Sequence, residues 1–286
     1  MVKKAVILCG GLATRLLPAT KVIPKEIMPI LNRPALDLIV EDLKNCGITD
    51  ILIILGRNKE CLENYFERNV ELENRLEETG KNELIKAING PFENVNIYFK
   101  RQLYAKGTAY AMLGCESFVG GDDFILIFPD ELLFGESQTK QLLEEFEKTK
   151  TSTIPLQQIP IEDCSKYGMV ACIGNGKSRK LTKIVEKPAT PAESPSDLCN
   201  LGGGVFTNKI FKYLKNCKPH GLELLYTDAI EEMMKKEGVN GLIITGERHD
   251  IGNPLGFVKA NIAAALHDKK LEKDMKEYIK ELAKNL

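Results

Sequence analysis

Three sets of residues in this chain have the types and spacing to do chemistry. The stretch from Leu8 to Pro29, LCGGLATRLLPATKVIPKEIMP, opens with Gly10 and Gly11 and then brings Arg15, Lys21 and Lys25 into one segment. Paired glycines let a backbone turn sharply and present its N–H groups to a ligand, and cations that follow neutralise phosphate oxygens. Read this way the stretch is a polyphosphate grip; read plainly, it is a surface loop with solvated charges. The second set is the acidic pair Asp130 and Asp250, each following a strand-like apolar stretch and preceding a helix. Two carboxylates facing bound phosphates suit Mg²⁺, which binds one or two carboxylates plus phosphate oxygens and keeps some waters. Taken alone, Asp250 reads more simply as the cap of a helix beginning near Pro254. The third set, Glu186-Lys187-Pro188, offers a cation for a second phosphate beside a carboxylate for hydroxyl groups, although adjacent opposite charges are ordinarily an exposed ion pair.

Other motifs fail when counted. Ala13 and Arg15 occupy places that GxGxxG does not allow, and no acidic residue ends a second strand at the usual distance, which argues against a dinucleotide cofactor. Gly176-Lys177-Ser178 echoes a P-loop ending, but Ala171 stands where that motif needs glycine. His220, His249 and His267 form no HxxxH or HxH pattern, so zinc is not expected. The 8 cysteines include no CxxC pair and lie mostly in apolar stretches, which fits reduced core thiols in a cytoplasmic protein.

The elements that must hold these residues read as an α/β fold. Ala5–Leu8 is a buried first strand, and the prolines at 18, 24 and 29 make the stretch after it an ordered loop over the end of a sheet. A helix follows Pro34, with Leu36, Ile39, Val40 and Leu43 on one face and Gly47 as its stop. Ile51–Leu55 is the second strand of a βαβ start. Residues 59–89 suggest two or three helices, and Val95–Phe99, Phe124–Phe128 and Ser152–Ile159 further strands. Asp130 then falls just beyond a strand's carboxyl end, where open parallel sheets bind ligands. Met169–Ile173 and Leu181–Val185 flank Gly174-Asn175-Gly176 and read as an antiparallel β-hairpin insertion. Leu271, Met275, Ile279 and Leu282 share one face of a C-terminal helix, a packing face within the chain or between subunits.

The expected architecture is a Rossmann-like mixed, mostly parallel sheet flanked by helices, with that hairpin insertion and a helical C-terminus. One domain, 1–286, accounts for the chain: a nucleotide-binding part of about 1–135, a sugar-binding part of about 136–253 and C-terminal helices over about 254–286. The formal net charge of −1 gives no support to a nucleic-acid or membrane-surface role. No apolar run approaches the roughly 20 residues that cross a bilayer.

Further segments carry a resemblance. The opening GGLATRLLPATKVIPKEIMP, Arg101-Gln102 with Gly107, Phe128-Pro129-Asp130, SKYG at Ser165–Gly168, VEKP at Val185–Pro188, TDAI at Thr227–Ile230 and HDIGNPLGFVKAN from His249 occur in the order seen in bacterial UTP–glucose-1-phosphate uridylyltransferases. The chain resembles that family of sugar-phosphate nucleotidyltransferases over nearly its whole length. The resemblance implies Mg²⁺-dependent uridylyl transfer from UTP to glucose 1-phosphate, giving UDP-glucose and pyrophosphate, and the apolar stripe from Leu271 to Leu282 makes a homo-oligomer, dimer or tetramer, the expected assembly. It implies that the loop Gly10, Gly11, Leu12, Ala13 and Thr14, with Arg15 and Lys25, holds the triphosphate, and that Gln102 and Gly107 meet the uracil. It further implies that Asp130 and Asp250 hold Mg²⁺, and that Gly168, Glu186, Lys187 and Gly203 meet the sugar and its phosphate. Ala13 departs from the family's glycine, Leu225 from a glutamine, Tyr110 from a histidine, and Ala105-Lys106 from Pro-Leu. The phosphate and metal groups are intact, but base and sugar preference are open. The alternatives are another sugar-1-phosphate nucleotidyltransferase, using dTTP or another hexose, and a non-catalytic nucleotide-sugar-binding relative.

Overall fold

A computed structural model describes residues 1–284. Its centre is a ten-stranded sheet: β1 (Lys4–Cys9), β2 (Asp50–Leu55), β3 (Asn96–Arg101), β4 (Phe124–Ile127), β5 (Thr153–Gln158), β6 (Gly168–Ile173), β7 (Ser178–Glu186), β8 (Leu198–Asn200), β9 (Gly204–Phe206) and β10 (Asn240–Ile243). The spatial order is β8-β6-β7-β10-β5-β9-β4-β1-β2-β3. β1 pairs in parallel with β2 from Lys4↔Asp50 to Cys9↔Leu55, and with β4 from Lys4↔Phe124 to Ile7↔Ile127. Along these strands alternate residues enter two cores. Ala5, Ile7 and Ile53 pack on one face, and Val6, Leu52 and Leu126 on the other. Burial on both faces is why they read as unbroken apolar runs.

Helices make the crossovers. Pro34 precedes Ala35–Asn45, and Gly47 follows it at φ 82°. Between β2 and β3 lie three helices, Glu60–Phe66, Val70–Glu78 and Asn82–Asn89. Thr108–Leu113 starts just after Gly107.

The sheet is not mostly parallel. β9 runs antiparallel to both β4 and β5, β7 is antiparallel to β10 and to β6, and β8 is antiparallel to β6 and to β5. With β10 parallel to β5, the pairings β5-β10-β7-β6-β8-β5 close on themselves. The fork between β8 and β9 is made by Gly202, Gly203 and Gly204, at φ 87°, 74° and 133°. A Cβ on Gly203 would stand 2.3 Å from the Leu126 carbonyl oxygen, so only glycine fits there. The β6–β7 connection is longer than a two-residue Asn-Gly turn, because its innermost pair is Ile173↔Lys180.

A small antiparallel ribbon, Glu131–Phe134 with Glu247–Asp250, has no counterpart in the sequence reading and pairs Asp250 with Glu131. The helices Pro254–His267 and Glu272–Lys284 end the described chain. Asn253 caps the first by accepting from Gly256 N, so that role does not fall to Asp250. Residues 285 and 286 of the expected helical C-terminus lie outside the described residues. Among those described, no helix is long and apolar enough to cross a membrane.

Candidate active site

A cleft of about 570 Å³ opens beyond the carboxyl ends of β1, β3 and β4, where ligands bind in open α/β sheets. Gly10, Gly11, Leu12, Ala13, Thr14, Arg15, Lys25, Gln102, Gly107, Asp130, Gly168, Glu186, Lys187 and Asp250 all border it. Gly203 is not among the bordering residues; Asn200, Leu201 and Gly202 take that wall.

The glycine-rich stretch crosses the cleft as three 3-10 turns, Thr14–Leu16, Ala19–Lys21 and Lys25–Ile27. A Cβ on Gly10 would meet the Gln102 amide nitrogen at 2.3 Å, and Gln102 Nε2 donates to the Gly10 carbonyl at 3.2 Å. The first glycine therefore seats the side chain expected to meet the base. Ala13 adopts the left-handed conformation, φ 50° and ψ 40°, that glycine occupies without steric cost. Its carbonyl accepts from Thr20 Oγ1 at 2.8 Å, which helps to hold the turn. Gly107 is required as well: its φ is 89°, and a Cβ there would stand 2.4 Å from the Leu224 carbonyl oxygen.

The cations and carboxylates meet directly. Lys25 Nζ donates to Asp130 Oδ2 at 2.7 Å, and Arg15 lies 4.0 Å from Asp130 and 3.4 Å from Asp250. Burial would raise the Asp130 carboxyl, but Lys25's charge and hydrogen bond, with Arg15, outweigh it and hold its pKa below the usual value. Burial likewise acts to lower Lys25, and the attraction of Asp130 overrides it, leaving that pKa raised. The Asp130 carbonyl accepts from Ile251 N at 2.8 Å, and Asp250 Oδ1 accepts from Gly252 N at 2.8 Å.

Across the cleft, Glu186 pairs with Gly168 across the β6–β7 ladder, and a Cβ on Gly168 would crowd the Glu186 carboxylate at 3.1 Å. Lys187 Nζ is 3.7 Å from Glu186, and its backbone sits at φ 44°, unusual for a non-glycine residue. Asn200 Nδ2 donates to the Tyr226 hydroxyl at 2.8 Å, and Asn200 Oδ1 accepts from Gly202 N at 3.0 Å. Thr227 borders the same wall, is 4% exposed, and its hydroxyl has no partner within the protein.

Sequence reasoning missed several contributors. Glu26 is fully buried and bonded through both oxygens to Lys59 at 2.8 and 2.9 Å, which fixes the backbone beside Lys25. Glu131 and Arg248 form a second bidentate pair at 2.6 and 2.7 Å behind Asp130. Burial pushes the Glu131 carboxyl upward, with Asp130 and Asp250 adding to the rise, while the two-point contact with Arg248 pulls it back toward the charged form. Two of the departures also touch: Lys106 Nζ lies 4.9 Å from the Tyr104 ring and 5.9 Å from Tyr110. Leu225 borders the cleft, putting an apolar side chain on its wall.

Comparison with known proteins gives the family of the chain. The pattern of the nucleotidyl transferase family matches residues 4–266. The UTP–glucose-1-phosphate uridylyltransferase of Streptococcus pneumoniae serotype 4 is 38% identical over 293 residues, covering 100% of this chain and 97% of that protein. The enzyme of that name from Streptococcus pyogenes is 38% identical over 295 residues, 100% of this chain and 96% of the relative. Among solved structures, a UTP-bound UGPase from Acinetobacter baumannii superposes with a TM-score of 0.91 at 33% identity, over 99% of this chain and 100% of that one. A UDP-glucose pyrophosphorylase complexed with UDP-glucose gives 0.84 at 31%, over 92% of this chain and 98% of that one. The chain belongs to the nucleotidyl transferase family, with UTP–glucose-1-phosphate uridylyltransferases as full-length relatives.

Proposed function

We propose that the chain transfers the uridylyl group of UTP to α-D-glucose 1-phosphate, giving UDP-glucose and pyrophosphate. The observation that carries this reading is one cleft with two phosphate-competent ends, Arg15 and Lys25 beside Asp130 and Asp250, and Lys187 beside Glu186 and Gly168. The names of the relatives point the same way.

A phosphate oxygen of the sugar attacks the α-phosphorus of UTP, the new P–O bond forms, and the bond to the bridging oxygen of pyrophosphate breaks. The attacking phosphate is already anionic near neutral pH, so no protein base is required, and positioning with charge stabilisation carries the catalysis. Arg15 and Lys25 neutralise the α-phosphate and the departing pyrophosphate, with Gly10, Gly11, Leu12, Ala13 and Thr14 presenting backbone to the triphosphate. Gln102 and Gly107 address the uracil. Gly168, Glu186 and Lys187 orient the sugar phosphate, Thr227 offers its free hydroxyl to a sugar oxygen, and Gly203 acts from behind by shaping the wall.

The residues present fit a Mg²⁺ ion. Asp130 and Asp250 flank Arg15, and Asp130 Oδ2, Asp250 Oδ1 and an Arg15 nitrogen all lie within 3.0 Å of the point where a Cβ on Gly252 would stand, so the two carboxylates converge on one point that they share with the guanidinium. A hard divalent cation takes such oxygens together with phosphate oxygens. When bound there, it would neutralise charge on the reacting phosphates.

In this reading residues of about 1–135 hold the nucleotide and about 136–253 the sugar. The exposed Leu271, just before the last helix, and Tyr278 and Leu282 on it support self-association. The test is the reverse reaction: with UDP-glucose, pyrophosphate and Mg²⁺, equimolar UTP and glucose 1-phosphate should form. Failure to form either product would overturn the assignment.

A further inference from the structure

We propose that Arg248 is a positioning residue that fixes the sugar-phosphate lysine, Lys187, relative to the carboxylates Asp130 and Asp250, acting through the ring of Tyr167. The inference rests on the function proposed above and assigns a role to a residue that touches neither substrate in that reading.

The connections form an unbroken chain. Arg248 donates through Nε and one terminal nitrogen to the two oxygens of Glu131, at 2.6 and 2.7 Å. The two side chains are only 9% and 10% exposed. Glu131 follows Asp130 and is the cross-strand partner of Asp250, so the guanidinium is anchored to the ribbon that carries both carboxylates. Its remaining terminal nitrogen donates to Gln157 on β5 at 3.3 Å, tying the group to the main sheet. The guanidinium carbon lies 5.0 Å from the centroid of the Tyr167 ring, within the range at which a planar cation is attracted to an aromatic ring. The Tyr167 carbonyl then accepts from the backbone N–H of Lys187 at 3.1 Å.

That last bond matters because Lys187 sits at φ 44°. A left-handed lysine persists only where its surroundings over-determine it, and such residues gather at functional sites. The side chain is 61% exposed and meets Glu186 at 3.7 Å, so its backbone placement governs where the ammonium points. A buried ion pair contributes little net stability compared with apolar residues of similar size. Glu131–Arg248 therefore needs a use other than holding the fold, and a rigid link between the two ends of the cleft is the use its contacts describe.

The test is a double-mutant cycle on UDP-glucose and UTP binding by calorimetry, with thermal melts confirming that each variant folds. Arg248→Lys keeps the charge but loses the planar fork; Tyr167→Leu removes the ring and leaves the buried pair intact. Each should weaken UDP-glucose about 10- to 100-fold, the scale of losing one hydrogen bond between charged groups, while UTP stays within about twofold. Lys187→Ala should weaken UDP-glucose strongly in the wild-type background, yet add less than about twofold on top of Arg248→Lys, as coupled residues do. If Arg248→Lys unfolds the protein, the same cycle with Tyr167→Leu decides the matter. Effects that multiply independently, or an equal loss for UTP, would overturn the proposal alone. A wild-type protein with no affinity for UDP-glucose would overturn the proposed function, and this role with it.

Discussion

Lys25 and Asp130 are hydrogen-bonded to each other, Nζ to Oδ2 at 2.7 Å, so the cation proposed for the phosphates and the carboxylate proposed for the metal share one contact. The Asp130 pKa in the folded chain lies below its ordinary value. Its contribution to stability is therefore complete above the unfolded pKa of about 3.9 and is lost as pH falls through the folded pKa. In Lys25→Met the carboxyl keeps its burial and loses its strongest partner. Urea midpoints should show wild type ahead of the variant by about 1.5–3 kcal/mol at neutral pH, the value of a hydrogen bond to a charged group. The margin should shrink below about pH 4, and a margin that widens on acidification would contradict the pairing.

Ala13 gives a prediction of opposite sign. At φ 50° its methyl group occupies a conformation that costs an L-residue roughly 1–2 kcal/mol. Ala13→Gly removes that cost and returns part of it as unfolded-chain entropy, leaving an expected gain of about 0.5–1 kcal/mol. Denaturant unfolding measures it directly. A loss of stability would mean that the methyl group is packed rather than strained.

Glu131 and Arg248 separate breaking a pair from replacing it. Arg248→Met alone strands a nearly buried carboxylate and should cost about 3–5 kcal/mol, while Arg248→Met with Glu131→Leu should cost far less. A loss in the double variant equal to the sum of the losses in Arg248→Met and Glu131→Leu alone would show that the pair is not coupled.

Gly252 tests the metal site without replacing a ligand. In Gly252→Ala the new methyl would stand within 3.0 Å of Asp130 Oδ2 and Asp250 Oδ1 and 2.7 Å from an Arg15 nitrogen. Mn²⁺ binding followed by electron paramagnetic resonance should weaken by about tenfold or more, by analogy with the loss of supporting groups around metals. Unchanged Mn²⁺ affinity would place the ion elsewhere.

Much of the site could be read from the chain because its groups lie beside strong local signals. Asp130 follows the buried run Phe124–Ile127, and Gly10 and Arg15 follow β1, so sheet topology alone brings them to one end. Strand direction was less legible. An apolar run such as Gly204–Phe206 does not state which way it runs, and its antiparallel insertion between β4 and β5 depends on the three-glycine fork. The supporting pairs were hidden for another reason. Glu26–Lys59 are 33 residues apart and Glu131–Arg248 are 117 apart, and in sequence each is an ordinary charged residue. Only tertiary structure buries them together.

The central claim is nucleotidyl transfer between two phosphates held in one cleft. The most direct measurement is pyrophosphate release with UTP, α-D-glucose 1-phosphate and Mg²⁺. The account predicts release that requires all three and falls by about 10²–10³ in Lys25→Ala, by analogy with losing one preorganised charge contact. No release, alongside tight binding of UDP-glucose, would contradict it and mark the chain as a nucleotide-sugar-binding protein without catalysis.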